Sequence, residues 1–220
     1  MKQFLYLSAF LFCLVSCTTG PYSPLPELTA GTDGPFEENC ATVFPQGKWQ
    51  FSHAIDFVMG SKTGTPVIGV TSLDGKDIFC ALVTVEGLTL FEANFHPNGG
   101  MDVKRAIPPF DSANFAAGLR EDLRAIFEPP AGSMKAGRVG TMPVCRYIDE
   151  GVGIVDVLPD VDGCWQIKSY TPELKMNRSI IGQSCKKKGP SLIPDYLELK
   201  TYGQTGYTLK MTLITADNIK

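Results

Sequence analysis

Apolar and polar residues alternate along most of this 220-residue chain, and a period of two marks strands with one buried face. From residue 51 one side carries Phe51, His53, Ile55, Phe57 and Met59, while Gln50, Ser52, Ala54 and Asp56 occupy the other. The pattern predicts further strands over 67–73, 78–85, 88–95 and 101–107. Between the first two of these, Asp74 and Gly75 are the residue types that a tight hairpin turn with positive φ requires. The second half returns to strands over 142–149, 153–158, 164–170, 175–183, 196–202 and 207–216. On the last of them Tyr207, Leu209, Met211 and Leu213 alternate with Thr208, Lys210 and Thr212.

One segment breaks this rhythm. After Pro108 and Pro109, the residues Phe115, Leu119, Leu123 and Ile126 recur at spacings of four, four and three, with Arg120, Glu121, Asp122 and Arg124 between them. This predicts an amphipathic helix over about 112–128, started by Asp111 or Ser112 as N-cap and closed by Pro129 and Pro130. Ten or eleven short strands with one helix fit a mainly β fold: an incomplete, half-open antiparallel β-barrel with a capping α-helix. Its inside is either an apolar cavity or a packed core, since both need the same alternation. The amphipathic helix is the only one expected after the leader.

The first residues follow a different pattern. Lys2 precedes an apolar run from Phe4 to Val15, which has the length of a signal-peptide h-region and is too short to span a bilayer. It ends in Leu14-Val-Ser-Cys17, which resembles the lipobox of bacterial lipoproteins. The small Ser16 suits a peptidase pocket, and the Cys17 thiol supplies the sulfur that a diacylglyceryl group is built on. An ordinary secretory leader with an incidental cysteine is the competing reading. Residues 1–16 are therefore expected to be a cleaved lipoprotein signal peptide and Cys17 the lipid anchor. Residues 17–35 are expected to be a lipidated end and flexible spacer, and 36–220 a single domain. Thr18 stands where Asp would retain an enterobacterial lipoprotein in the inner membrane, so the resemblance implies the periplasmic face of the outer membrane of a Gram-negative bacterium.

Composition narrows the chemistry. A formal charge of -3 is no surface for nucleic acid, and the one basic run, 186–188, precedes Gly189 and Pro190 as a solvated loop would. After acylation of Cys17, five cysteines remain: Cys40, Cys80, Cys145, Cys164 and Cys185. An oxidising compartment favours pairing. Cys80, inside an apolar run, reads as a buried free thiol. Cys164 and Cys185 flank one hairpin, and a disulfide between them is expected. There is no Cys-x-x-Cys pair, and His53 and His96 are the only histidines, so neither a metal site nor a cofactor is expected.

Catalytic motifs are equally sparse. The segment 60–64 contains Ser61 and Lys62 without the Gly-x-Ser-x-Gly or P-loop spacing. Asp74 and Asp77 belong to a hairpin turn, His53 reads as a hydrogen-bonded core histidine, and His96 precedes Pro97 in a loop. No enzyme is expected.

The lipobox, the Pro-rich spacer, the meander containing Gly69-Val-Thr-Ser-Leu-Asp-Gly-Lys-Asp-Ile-Phe79, the Pro-Pro-Phe before a helix ending in Phe127-Glu-Pro-Pro130, and the terminal Tyr207-Thr-Leu-Lys-Met-Thr-Leu strand together resemble the LolB-like outer-membrane lipoproteins. The resemblance spans nearly the whole mature chain in order of elements. It implies the unclosed, helix-capped barrel of the LolA and LolB lipoprotein carriers, whose apolar interior accepts acyl chains of a lipid or lipoprotein, with a periplasmic carrier protein as a further partner. On that reading Phe51, Ile55, Phe57, Phe79, Phe91, Leu209, Met211 and Leu213 line the cavity, and Phe115, Leu119, Leu123 and Ile126 form the lid. One departure matters. LolB inserts an exposed Leu of a protruding loop into membranes, and the matching segment here, 60–66, has no large apolar residue. Binding of acyl chains is thus better supported than insertion of lipoproteins. The alternative is a non-catalytic structural lipoprotein that recruits an envelope protein complex.

Overall fold

The computed structural model describes residues 24–30 and 36–219. The leader, Cys17 and the rest of the expected spacer lie outside them. The elements in chain order are β1 (Thr29–Ala30), α1 (Phe36–Ala41), β2 (Trp49–Met59), β3 (Lys62–Thr63), β4 (Val67–Asp74), β5 (Asp77–Val83), β6 (Thr89–Phe95) and β7 (Met101–Ala106). There follow α2 (Ala113–Phe127), β8 (Ser133–Val139), β9 (Met142–Asp149), β10 (Gly153–Val161), β11 (Cys164–Tyr170), β12 (Met176–Lys188), β13 (Ser191–Thr201) and β14 (Thr208–Asn218).

All the strands join one antiparallel sheet in the order β1-β8-β9-β10-β11-β12-β13-β14-β2-β4-β5-β6-β7, with β3 paired to β2 off this path. The two ends of the order, β1 and β7, do not pair, so the barrel stays unclosed. The mainly β, half-open barrel read from the sequence is the fold observed. Its strand count was short: among the described residues the sheet has 14 strands, the additional ones being β8 and the two-residue β1 and β3. A second helix, the short α1, was also missed. The basic run 186–188 is the end of β12 rather than a loop; Lys186 pairs with Asp195 at 2.7 Å and Lys188 Nζ donates to the carbonyl of Ala216 at 2.7 Å.

Local chemistry explains the punctuation. Gly75 turns β4 into β5 with φ of 66°, in the left-handed region that glycine enters without penalty. Gly153 combines φ of 134° with crowding, since a Cβ there would lie 2.1 Å from the Tyr170 carbonyl oxygen. Ser112 caps α2 by accepting from the Phe115 amide at 3.1 Å. The helix leads from β7, one margin of the sheet, to β8, the strand beside β1 at the other margin, and so crosses the concave face.

Residues 24–30, read as spacer, form a strap on the other face. Pro24 bridges to Lys175, the Leu25 amide donates to the Leu174 carbonyl at 3.3 Å, and Thr29 and Ala30 pair with Arg138 and Gly137. Beneath it Arg146 and Asp156 form a buried bidentate pair of 2.7 and 2.8 Å, and Arg146 also donates to the Pro26 carbonyl at 2.9 Å. A charged pair survives burial when its remaining donors are satisfied in this way. Two disulfides complete the frame: Cys40–Cys145 ties α1 to β9, and Cys164–Cys185 ties β11 to β12. Among the described residues Cys80 is the free cysteine, buried, its thiol pushed up to about 12 by burial.

Candidate functional site: the concave face under helix α2

The two ends of the sheet are not alike. At one end the segment 42–48 lies across the sheet, with the Leu192 amide donating to the Thr42 carbonyl, the Gln46 amide to Ser191 Oγ and the Ile219 amide to the Lys48 carbonyl. Val43 and Phe44 seal this closed end. The other end carries the connections 84–88, 150–152, 171–175 and 202–207, and among the described residues no segment lies across it in the same way. Burial therefore declines along each central strand. On β2, Trp49, Phe51 and His53 are at most 3 % exposed, Ile55 is half-buried and Phe57 is 36 % exposed. On β4 the inner face runs from buried Leu73 and Thr71 to half-buried Val67. On β14 it runs from buried Ala216 to half-buried Leu209.

Helix α2 roofs this face. Phe115 meets Phe91 of β6 edge to face at 5.3 Å and Phe110 at 5.0 Å, and Phe127 stacks on Phe51 of β2 at 5.1 Å. Leu123 and Ile126 are buried, and Leu119 packs against the core half-exposed. The helix also carries a charge inward. Asp122 is 3 % exposed and accepts from the Tyr207 hydroxyl through Oδ2. Arg178 Nη2 of β12 pairs with Asp122 Oδ1 at 3.0 Å, while Arg178 Nε is buried with no hydrogen-bond partner among the described residues. Burial raises the Asp122 pKa above the usual aspartate value, and the neighbouring Arg178 and Tyr207 only partly offset that. The three side chains form a polar latch between the lid and the sheet.

The residues singled out from the sequence fall in several places. Phe51, Phe91 and Met211 are buried on the concave face; Ile55, Leu209 and Leu213 are half-buried beside them, and Phe57 stands at the open end with its ring 5.4 Å from that of Tyr207. Phe115, Leu119, Leu123 and Ile126 are on the inner side of α2. Phe79 is the exception: it alternates with buried Ile78 and Cys80, so its ring lies on the outer face, with Lys104 Nζ 5.9 Å from its centroid. His53 is a core histidine, as read, but its Nδ1 has no hydrogen-bond partner. Cys164 and Cys185 are bonded. The sequence reading missed the latch residues Asp122, Arg178 and Tyr207. It placed Asp122 among the polar residues of the helix, although its position three residues after Leu119 and four before Ile126 puts it on the apolar stripe.

Between the helix and the closed end little space is left. A cavity of about 10 Å³ lies between the helix and the closed end, lined by Val43, Phe51, His53, Ile126, Phe127, Trp165, Leu192 and Leu197 among others. That is room for roughly one water molecule. The groups present can hold apolar matter by contact and one polar atom by hydrogen bond. Among the described residues there is no group of three or more His, Cys, Asp or Glu placed to hold a metal ion, and no helix is long and apolar enough to cross a membrane.

No protein-family model matches the sequence, and no curated protein matches it. Solved structures do. A LolA superfamily protein from Nitrosomonas europaea is 9 % identical, with a TM-score of 0.52 over 84 % of this chain and 92 % of that one. A DUF1329 family protein from Desulfovibrio piger is 8 % identical, with a TM-score of 0.52 over 83 % of this chain and 91 % of that one. At such identities the likeness is one of fold.

Proposed function

We propose that the protein is a lipoprotein of the outer membrane, facing the periplasm, whose domain takes an acyl chain of a lipid or lipoprotein between α2 and the concave sheet and passes it on without covalent chemistry. The observation that carries this reading is the burial gradient: a largely apolar face lies under one helix and emerges half-exposed at one end of the sheet. The lipobox around Cys17 and the fold shared with a LolA superfamily protein support it. A periplasmic carrier protein would deliver the cargo.

The nearly filled interior sets a condition on binding. An acyl chain must displace Phe115, Leu119, Leu123, Ile126 and Phe127 from the sheet, which at about 2 kcal/mol per side chain costs on the order of 10 kcal/mol. Each methylene that replaces them returns about 0.8 kcal/mol, so roughly a dozen are needed to break even. Native mass spectrometry of the detergent-free protein should then show retained palmitate and no retained octanoate. The same filled interior favours a second reading, a structural lipoprotein that recruits an envelope complex. No retention at any chain length, with a protein captured by cross-linking, would establish that reading instead. For the anchor, Cys17→Ala should abolish lipid processing on gels and release the protein from membranes; unchanged association would refute the tether.

A further inference from the structure

His53 sits at the deep end of the apolar track, and apart from the latch it is where the described residues leave a buried polar atom of this face without a partner. It is 2 % exposed, lines the small cavity under Phe127, and its Nδ1 has no hydrogen-bond partner. Thr71, the other buried polar side chain on this part of the inner face, has the Cys80 thiol as partner. A buried polar atom without a partner is uncommon in a native fold and points to an absent occupant. Burial holds the imidazole pKa down at about 4, so the ring is neutral at ordinary pH and can either donate or accept.

The surroundings define that occupant. From His53 toward the open end the inner face of β2 offers only Ile55 and Phe57, about 13 Å of strand rise, flanked by Leu209 and Leu213 of β14. Beyond His53 the closed end is filled by Val43, Phe44 and Trp49. We propose that the site takes an unesterified fatty acid bound head inward, its carboxyl group hydrogen-bonded to His53 Nδ1 and its chain lying along Ile55, Phe57 and Leu209 to the open end. A phospholipid or lipoprotein head would not fit in a pocket sealed there, whereas a carboxyl group needs little more than the volume of a water molecule. This inference rests on the reading of the domain as an acyl-chain receptor and specifies its ligand.

The test compares palmitate with methyl palmitate by calorimetric titration of the full detergent-free chain, in the wild type, in His53→Leu and in His53→Gln. Wild type is expected to bind palmitate at least tenfold more tightly than the ester. His53→Leu should bind the two equally, and His53→Gln should keep part of the preference. In the wild type the ¹⁵Nδ1 resonance of His53 should shift with palmitate and stay in place with the ester. Equal binding of both probes by the wild type, with an unmoved resonance, would overturn the inference and leave an ordered water as the partner of His53, while acyl-chain binding itself would stand. If neither probe binds, the receptor reading falls and this inference with it.

Discussion

Removing the hydroxyl of Tyr207 isolates the latch with the least disturbance to packing. In Tyr207→Phe the ring still faces Phe57, 5.4 Å away, but the hydroxyl's hydrogen bond to the Asp122 carboxylate is gone, which leaves Arg178 as the partner of that group. Asp122 is 3 % exposed, so water does not replace the lost bond. A lost hydrogen bond to a buried charged group costs about 1.5–3 kcal/mol, and we take about 2 kcal/mol at pH 7. The sign of its pH dependence follows from the raised Asp122 pKa. The folded state holds the proton more tightly than the unfolded chain. This group's contribution is therefore greatest with the carboxyl protonated and declines as pH rises from about 3.9, the ordinary aspartate value, through the folded pKa. The Tyr207 hydroxyl supports the charged form, so its loss should weigh more at pH 7 than at pH 4. Urea unfolding at both pH values measures the total. Amide exchange in α2 locates it and should quicken about 30-fold at pH 7, the equivalent of 2 kcal/mol. An equal loss at both pH values, or unchanged exchange in α2, would refute the latch.

Three further outcomes are expected. Replacing both cysteines of Cys40–Cys145 by serine frees a sequence separation of 105 and should cost about 5 kcal/mol, against about 3 kcal/mol for Cys164–Cys185 at a separation of 21, on the chain-entropy account; denaturant midpoints in the reverse order would count against it. With the His53 pKa lowered to about 4, its contribution is complete above pH 6.5 and is lost as pH falls toward 4, by about 3 kcal/mol. His53→Leu should flatten that part of the acid-unfolding profile, and an unchanged slope would contradict it. Gly153→Ala should lower the melting temperature steeply, because the new Cβ would meet the Tyr170 carbonyl at 2.1 Å in a backbone conformation that alanine resists; a shift no larger than that of Gly163→Ala at its open turn would argue against the crowding.

The sequence was legible wherever a buried face alternates with a solvated one, which covers the eleven expected strands and α2. It was silent where backbone rather than side chains makes the contact. Strand β8 contains Ala136 and Gly137 where large residues would have shown the alternation, and Gly137 is small because the strap lies on it: a Cβ there would meet the Thr29 carbonyl oxygen at 2.6 Å. The pairing of β1 with β8 thus erased the pattern that would have revealed β8. Helix α1 has only six residues, too few for a stripe, and is tied down by a disulfide to Cys145, which lies 105 positions away in sequence. The latch was hidden for another reason. Asp122 lies three residues after Leu119 and four before Ile126, on the stripe itself, but a stripe read from apolar residues alone passes over a charged one.

The alternation also could not say what fills the concave face, because a lipid pocket and a packed core use the same residues on the wall. The answer lies in the lid. The expected stripe of Phe115, Leu119, Leu123 and Ile126 leaves out Phe127, which is four residues after Leu123 and therefore on the same side of the helix. Its inclusion widens the stripe and seats the helix deeper, so that Phe127 lies on Phe51 and Phe115 on Phe91. Both rings occupy space that an acyl chain would need. A ligand that left them in place would find a void of about 10 Å³, too small for a single ethyl group. Occupancy and lid displacement are then one event, and the ligand must favour the open form over the closed one by more than the packing energy of the rings it ejects.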